Sequence, residues 1–100
     1  MVKHIILWQL KDDIQGAEKE AVKAGIKNGL ESLSGQIPGL LDIRVQTEGL
    51  SGSNADVMLD STFVDENALK TYASHSAHVK VADEKVRPYT KTRVCMDYEV

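Results

Sequence analysis

The stretch VKHIILWQL, residues 2–10, is the part of the sequence on which the fold assignment depends. It is rich in β-forming residues, and it is far shorter than the roughly 20 apolar residues that a membrane-spanning helix needs. We therefore interpret it as a buried strand. Its even-numbered residues share one face, on which His4 is the only polar residue, and its odd-numbered residues share the other.

The hydrophobic period changes after this strand. Within residues 17–34, Val22, Ile26, Leu30 and Leu33 follow one another at intervals of four, four and three, so they share one face of a predicted helix. Glycine and proline residues follow this stretch and end the helix.

The rest of the sequence predicts three more strands and a helical region. Residues 41–48 and 55–64 alternate between apolar and polar side chains and predict a β-hairpin. Residues 65–88 are helical, with a break near 74–76, and residues 90–100 alternate again. The order β-α-β-β-α-α-β predicts an α+β, ferredoxin-like fold, in which an antiparallel sheet carries its helices on one face.

Length and composition restrict the function. One hundred residues make a single domain, 1–100, and a net charge of −3 is unfavourable for binding nucleic acid. No signal peptide or membrane span is evident. Cys95 is the only cysteine, which suits a reducing cytoplasm. There is no glycine-rich phosphate loop, and we expect no cofactor.

The sheet face away from the helices is predicted to carry a mixture of apolar and charged residues. These residues are Lys3, Ile5, Leu7, Arg44, Asp60, Arg93, Cys95 and Asp97. One interpretation is a monomer in which this partly apolar face is exposed to solvent. The other is a homodimer whose two sheets pack together and pair these charges, since buried charges need partners.

The motif HSAHV, residues 75–79, allows three interpretations. A transition-metal site is disfavoured because His75 and His78 have no third ligand nearby, and catalytic zinc needs three. The histidines can brace the junction between two helices, or one of them can act as an acid–base group. We expect His78, not His75, to point inward towards Tyr72 and His4, because a helix break allows what a straight helix does not.

Three stretches together resemble the stress-responsive α/β-barrel domain (Dabb) family. They are MVKHIILWQLKDD (1–13), HSAHV (75–79) and MDYE (96–99), and the resemblance covers essentially the whole chain. Ser76 stands where the family commonly has proline. The resemblance implies a ferredoxin-like protomer and a homodimer whose two sheets form a barrel.

The resemblance also implies a site between helices and sheet. A plant member is a polyketide cyclase, and carrying its residues over assigns His78 as the base, with Tyr72 beside it and His4 in the pocket wall. We add Ile6, Trp8, Val22 and Ile26 as predicted ligand-binding residues.

One departure from that cyclase concerns the first helix. Here it offers Gly25 and Gly29 instead of aromatic residues, and Trp8 is expected to fill the space that the glycines leave, which argues against a long substrate. Some plant members also hold magnesium through backbone carbonyls after this helix, at positions that correspond here to 32–40.

Three functions remain open. The first is a small-molecule binding protein or enzyme that uses His78 as its acid–base group on an apolar or aromatic ligand. The second is a non-catalytic dimeric protein whose histidines are structural, and a cofactor-free monooxygenase is a weaker third. A cavity of roughly 300 Å³ or more reaching His78 would favour the first, and a filled interior the second.

Overall fold

The structure, a computed structural model that describes residues 1–100, has the predicted order of elements and the ferredoxin-like α+β fold. The strands are β1 (Val2–Leu10), β2 (Leu40–Gln46), β3 (Val57–Phe63) and β4 (Thr90–Glu99). The helices are α1 (Gly16–Glu31), α2 (Glu66–Ser74) and α3 (Ser76–Val81). A π-helical segment, Ala82–Val86, and a 3-10 turn, Arg87–Tyr89, connect α3 to β4. The antiparallel sheet has the order β2-β3-β1-β4, so β4 is an edge strand.

Helix α1 packs its apolar stripe on the sheet, where Val22, Ile26 and Leu30 are buried. Burying each such side chain fully stabilises the fold by about 1.5–3 kcal/mol. The helix ends at Glu31, earlier than predicted. The amide of Leu33 bonds to the carbonyl of Leu30, only three residues back, and this tighter bond begins a series of turns.

The two glycines inside α1 make room for the segment that follows α2, not for Trp8 as predicted. A Cβ atom added at Gly29 would lie 3.0 Å from Cγ1 of Val81, and one added at Gly25 would lie 3.9 Å from Cδ of Lys85. The glycines therefore allow close packing between helices, and Trp8 packs elsewhere in the core.

The predicted break between the second and third helices lies at His75, whose ψ of 134° is extended. Asp65 caps the start of α2 by accepting a hydrogen bond from the amide of Ala68 at 2.8 Å. His75 itself caps α3, since its Nδ1 accepts from the amide of Ala77 at 3.1 Å. None of the helices is long and apolar enough to cross a bilayer.

The prediction for the faces of β4 is wrong. Trp8 pairs with Arg93, Ile6 with Cys95 and His4 with Asp97. Directly opposed residues of two strands point to the same face, so these three β4 residues lie on the helix side of the sheet. A shift of one residue in register moves every side chain to the other face, and sequence alternation alone does not fix the register.

The open face of the sheet is consequently more apolar than predicted. Leu7, Val94, Met96 and Tyr98 lie on it and are exposed, Val94 by 64% and Met96 by 68%. Two charged pairs on this face are already joined within the chain, Lys3 to Asp60 at 2.5 Å and Arg44 to Asp42 at 3.3 Å. The exposed side chains on this face are therefore largely apolar, and its charged side chains already have partners within the chain.

Candidate functional site

A cavity of about 150 Å³ lies between the sheet and the helical segment that runs from α2 to β4. Nine of its 14 lining residues are hydrophobic, which suits an apolar or aromatic ligand. The polar residues in its wall are His4, His78, Arg87, Thr90 and Arg93.

Tyr72 is the most unusual member of this wall. Its side chain comes from the last turn of α2 and is 1% exposed. Its hydroxyl oxygen is buried and has no hydrogen-bond partner within the chain. Burial raises the pKa of Tyr72 above its usual value, so the phenol keeps its proton. Leaving a buried hydroxyl unpaired costs about 1–3 kcal/mol. A ligand that accepted a hydrogen bond from it would remove this cost, so the hydroxyl is a candidate ligand-binding group.

His78 lies against Tyr72, with 4.2 Å between the ring centroids. Its Nδ1 lies 3.2 Å from the carbonyl oxygen of Ala73, which can only accept, so Nδ1 carries the proton in this contact. Nε2 then keeps its lone pair.

The surroundings of His78 favour its neutral form. Burial lowers the pKa of His78, and the positive charges of Arg87 and Arg93 act in the same direction. The bond to the Ala73 carbonyl opposes this shift but does not cancel it. A histidine that is neutral near pH 7 can take up a proton from a bound molecule.

His4 stands on the sheet side of the same cavity. Its ring centroid is 6.2 Å from that of Tyr72. Its Nδ1 lies 2.5 Å from Oδ1 of Asp97, and its backbone carbonyl accepts a bond from the hydroxyl of Ser61 at 2.9 Å. The carboxylate therefore fixes the orientation of the ring and leaves Nε2 as the second free nitrogen.

The structure brings together five of the seven residues predicted from sequence. His4, Ile6, Trp8, Tyr72 and His78 all line the cavity.

Val22 and Ile26 do not line it. Ile26 is fully buried within the core, and Val22 borders a separate surface groove beside Lys85 and Tyr89. Their side chains lie on the part of α1 that packs against other core residues, so they support the sheet and not the site.

Sequence reasoning missed three charged neighbours of the site, namely Arg87, Arg93 and Asp97. Arg87 forms an ion pair with Asp83 one helical turn earlier. Opposite charges four residues apart in a predicted helix are a sequence signal for such a pair, and this signal could have drawn attention to Arg87. Arg93 and Asp97 belong to the strand whose face was wrongly assigned, so only the strand register could have placed them.

The loop after α1 does not fit a magnesium site built from backbone carbonyls. The carbonyls of Glu31, Leu33 and Ile37 each accept a hydrogen bond from a nearby amide. The carbonyl of Ser32 accepts from the side chain of Gln36 at 2.5 Å. These oxygens are used to form consecutive turns.

The volume of the cavity limits what can bind. It reaches His78 but has about half the volume that we set as favouring ligand binding. A cavity of about 150 Å³ in another protein accommodates benzene. The site therefore fits a single ring or a compact branched chain, and a long polyketide is too large for it.

Comparisons with known proteins agree with this architecture. The model of the stress responsive A/B barrel domain matches residues 2–100. A dimeric protein of unknown function from Bacteroides fragilis, with a ferredoxin-like fold, has 32% identity and a TM-score of 0.92, and the alignment covers 99% of this chain and 95% of that one.

Two more distant structures share the fold. A Dabb family protein from Mesorhizobium loti has 19% identity and a TM-score of 0.75, over 99% of this chain and 95% of that one. The hydroxynitrile lyase from Passiflora edulis has 16% identity and a TM-score of 0.71, over 97% and 90%. A search of curated proteins gives no match. With a family match that spans residues 2–100, the chain belongs to the stress responsive A/B barrel domain family.

Proposed function

We propose that the protein is a homodimer in which each chain binds a small apolar or aromatic molecule between helices and sheet, with His78 and Tyr72 performing acid–base chemistry on it. The observation that carries this proposal is the buried Tyr72 hydroxyl, which has no partner in the chain and lies next to a histidine whose pKa is lowered. A ligand oxygen would satisfy that hydroxyl.

The chemical roles follow from the free atoms. Nε2 of neutral His78 takes a proton from the ligand, and the hydroxyl of Tyr72 donates a hydrogen bond to a ligand oxygen. Ile6 and Trp8 supply the apolar wall, and His4, held by Asp97, offers its Nε2 to a second polar group. The volume of about 150 Å³ favours a ligand of about one ring.

Self-association is supported by the exposed apolar side chains on the open face and by the dimeric relative from Bacteroides fragilis. Packing two such faces together would bury Leu7, Val94 and Met96 and leave the cavity on the opposite side of the sheet undisturbed. A cytoplasmic location, which the single cysteine favours, is part of the same proposal.

A panel of one-ring aromatic and short branched aliphatic carbonyl compounds tests the binding, with thermal melting as the readout. A compound present at 100 times its Kd should stabilise the protein by about 2.7 kcal/mol. Tyr72→Phe and His78→Ala should both abolish the shift, and neither should lower the melting temperature of the free protein much. The control is His75→Asn, which changes a histidine outside the cavity and keeps a capping side chain.

The alternative is a non-catalytic dimer whose histidines are structural, and the hydrogen bond from His78 to the Ala73 carbonyl favours it. Under that alternative, no compound shifts the melting temperature, and His78→Ala lowers the free energy of unfolding by several kcal/mol.

A further inference from the structure

Three side chains of metal-binding type converge where β1 meets the edge strand β4. His4 is directly opposite Asp97, and Cys95 lies two residues along β4 on the same face. One potential ligand atom from each residue lies within 4.8 Å of the other two. Imidazole nitrogen, thiolate sulfur and carboxylate oxygen are all ligands of protein-bound zinc.

The separations of these atoms approach those of a tetrahedral site. With normal zinc bond lengths, neighbouring nitrogen, oxygen and sulfur ligands lie about 3.3–3.5 Å apart. Sγ of Cys95 lies 3.7 Å from Nδ1 of His4 and 3.5 Å from Oδ1 of Asp97. Only the contact of 2.5 Å between His4 and Asp97 is too short. The Asp97 side chain is 45% exposed, so its carboxylate has room to move outward.

We propose that His4, Cys95 and Asp97 bind one borderline-soft divalent cation of the zinc class, with the fourth coordination position left to water. Magnesium and calcium are disfavoured, because they require six or more ligands that are mostly oxygen. A single thiolate beside an imidazole and a carboxylate matches zinc or cobalt(II) better.

Binding of the cation requires two protons to move, one from Cys95 and one on His4. Partial burial and the neighbouring Asp97 carboxylate raise the pKa of the Cys95 thiol, so without a cation the sulfur remains protonated. Cation binding releases this proton to solvent and creates the thiolate ligand. The hydrogen on Nδ1 of His4 moves to Nε2 through solvent, and Nδ1 becomes the ligand.

This site is separate from the proposed dimer and from the acid–base pair. The three ligands lie on the helix side of the sheet, and the dimer is proposed on the other side. Cys95 and Asp97 are exposed, so a cation has a path to them. Only His4 is shared with the cavity, and neither Tyr72 nor His78 is needed for the cation to bind.

Cobalt(II) titration of the full-length protein tests the proposal, with the cysteine kept reduced by a phosphine. The expected result is one cobalt per chain and a thiolate-to-cobalt absorption band in the near ultraviolet, which zinc then removes by displacement. Cys95→Ser should abolish the band, and Asp97→Asn should weaken cobalt binding by more than about tenfold. Glu99→Gln, which changes an exposed carboxylate on the same strand, is the matched control and should bind as the wild type does.

A second measurement needs no variant. Zinc bound at Cys95 should slow the alkylation of the wild-type thiol by iodoacetamide, whereas magnesium should not. The proposal is overturned if the wild type shows no near-ultraviolet band, or if zinc leaves the alkylation rate unchanged. Unchanged cobalt affinity in Asp97→Asn overturns the three-ligand assignment. In each case the three residues only hydrogen-bond to one another, and the proposal for Tyr72 and His78 is unaffected.

Discussion

The rings of Tyr72 and His78 lie 4.2 Å apart although the residues are six positions apart in the chain. In a continuous α-helix, residues six apart point in directions that differ by about 120°. The extended backbone of His75 interrupts the helix and allows both side chains to meet at one cavity. His75 therefore provides the break between the two helices, and His78 is the histidine that lies beside the unpaired hydroxyl of Tyr72.

The capping role of His75 gives a first prediction. His75→Ala removes the acceptor for the amide of Ala77 and should lower the free energy of unfolding by about 1 kcal/mol. His75→Asn should restore most of that loss, because asparagine is a good cap. Urea denaturation measures both values. Equal losses in the two variants would show that His75 stabilises the protein in another way.

The unpaired hydroxyl of Tyr72 gives a second prediction. Tyr72→Phe should leave the stability of the free protein unchanged or raise it by up to about 1 kcal/mol, since it removes a buried polar atom that has no partner. The matched variant is Ser61→Ala, which removes a buried hydroxyl that donates to the carbonyl of His4 at 2.9 Å. This variant should lose about 1 kcal/mol. If Tyr72→Phe loses as much as Ser61→Ala, the hydroxyl has a partner in solution.

The lowered pKa of His78 predicts how stability depends on pH. The unfolded chain protonates this histidine near its usual pKa of 6.5, and the folded protein does so only at lower pH. Protonation therefore favours the unfolded state. The contribution of His78 is constant above pH 6.5, becomes less favourable as the pH falls towards the folded pKa, and is constant again below it.

This dependence is measured as the difference between wild type and His78→Gln across that range. Glutamine does not titrate, so the variant should lose less stability on acidification than the wild type does. The titratable groups that act on the pKa of His78 are Arg87, Arg93 and His4, and they are the same in both proteins. Parallel pH profiles would show that the pKa of His78 is not lowered.

Much of this site was predictable from sequence because it depends on local patterns. Alternation in β1 placed His4, Ile6 and Trp8 on one face, and two short helices were predicted to meet near His75. Local patterns determine which residues share a face within one element.

What sequence could not provide is the relation between elements. The pairing between β1 and β4 shifts by one residue between Gln9 and Leu10, so that Lys91 has no paired residue in β1. This shift decides which β4 residues face the helices. Asp97 meets His4 across 93 positions of sequence, so nothing near either residue indicates the contact.

The corrected register of β4 changes the prediction for the dimer. Met96→Glu places a charge in the middle of the proposed interface and should shift the molar mass in light scattering from twice the 11.0 kDa of one chain towards that of a single chain. Arg93→Glu changes a residue on the opposite face and should leave the mass unchanged. The reverse pattern would place the interface on the helix side of the sheet.

The two glycines of α1 provide a matched pair for the last prediction. Alanine is better than glycine inside a helix by about 1 kcal/mol, so both substitutions begin with the same gain. At Gly25 the nearest atom to a new Cβ is the flexible end of Lys85 at 3.9 Å, an ordinary contact. Gly25→Ala should therefore stabilise the protein by up to about 1 kcal/mol.

At Gly29 the new Cβ would lie 3.0 Å from Val81, a short β-branched side chain with little freedom to move. Such overpacking costs about 1–3 kcal/mol, which should cancel or exceed the gain from alanine, so that Gly29→Ala is neutral or destabilising. Adding Val81→Ala to Gly29→Ala should cost less than Val81→Ala does alone, because the new methyl group occupies part of the space that the valine leaves. Chemical denaturation of the wild type, the two single variants and the double variant measures this coupling. Strict additivity would mean that the α1 and α3 helices are not held against each other at this contact in solution.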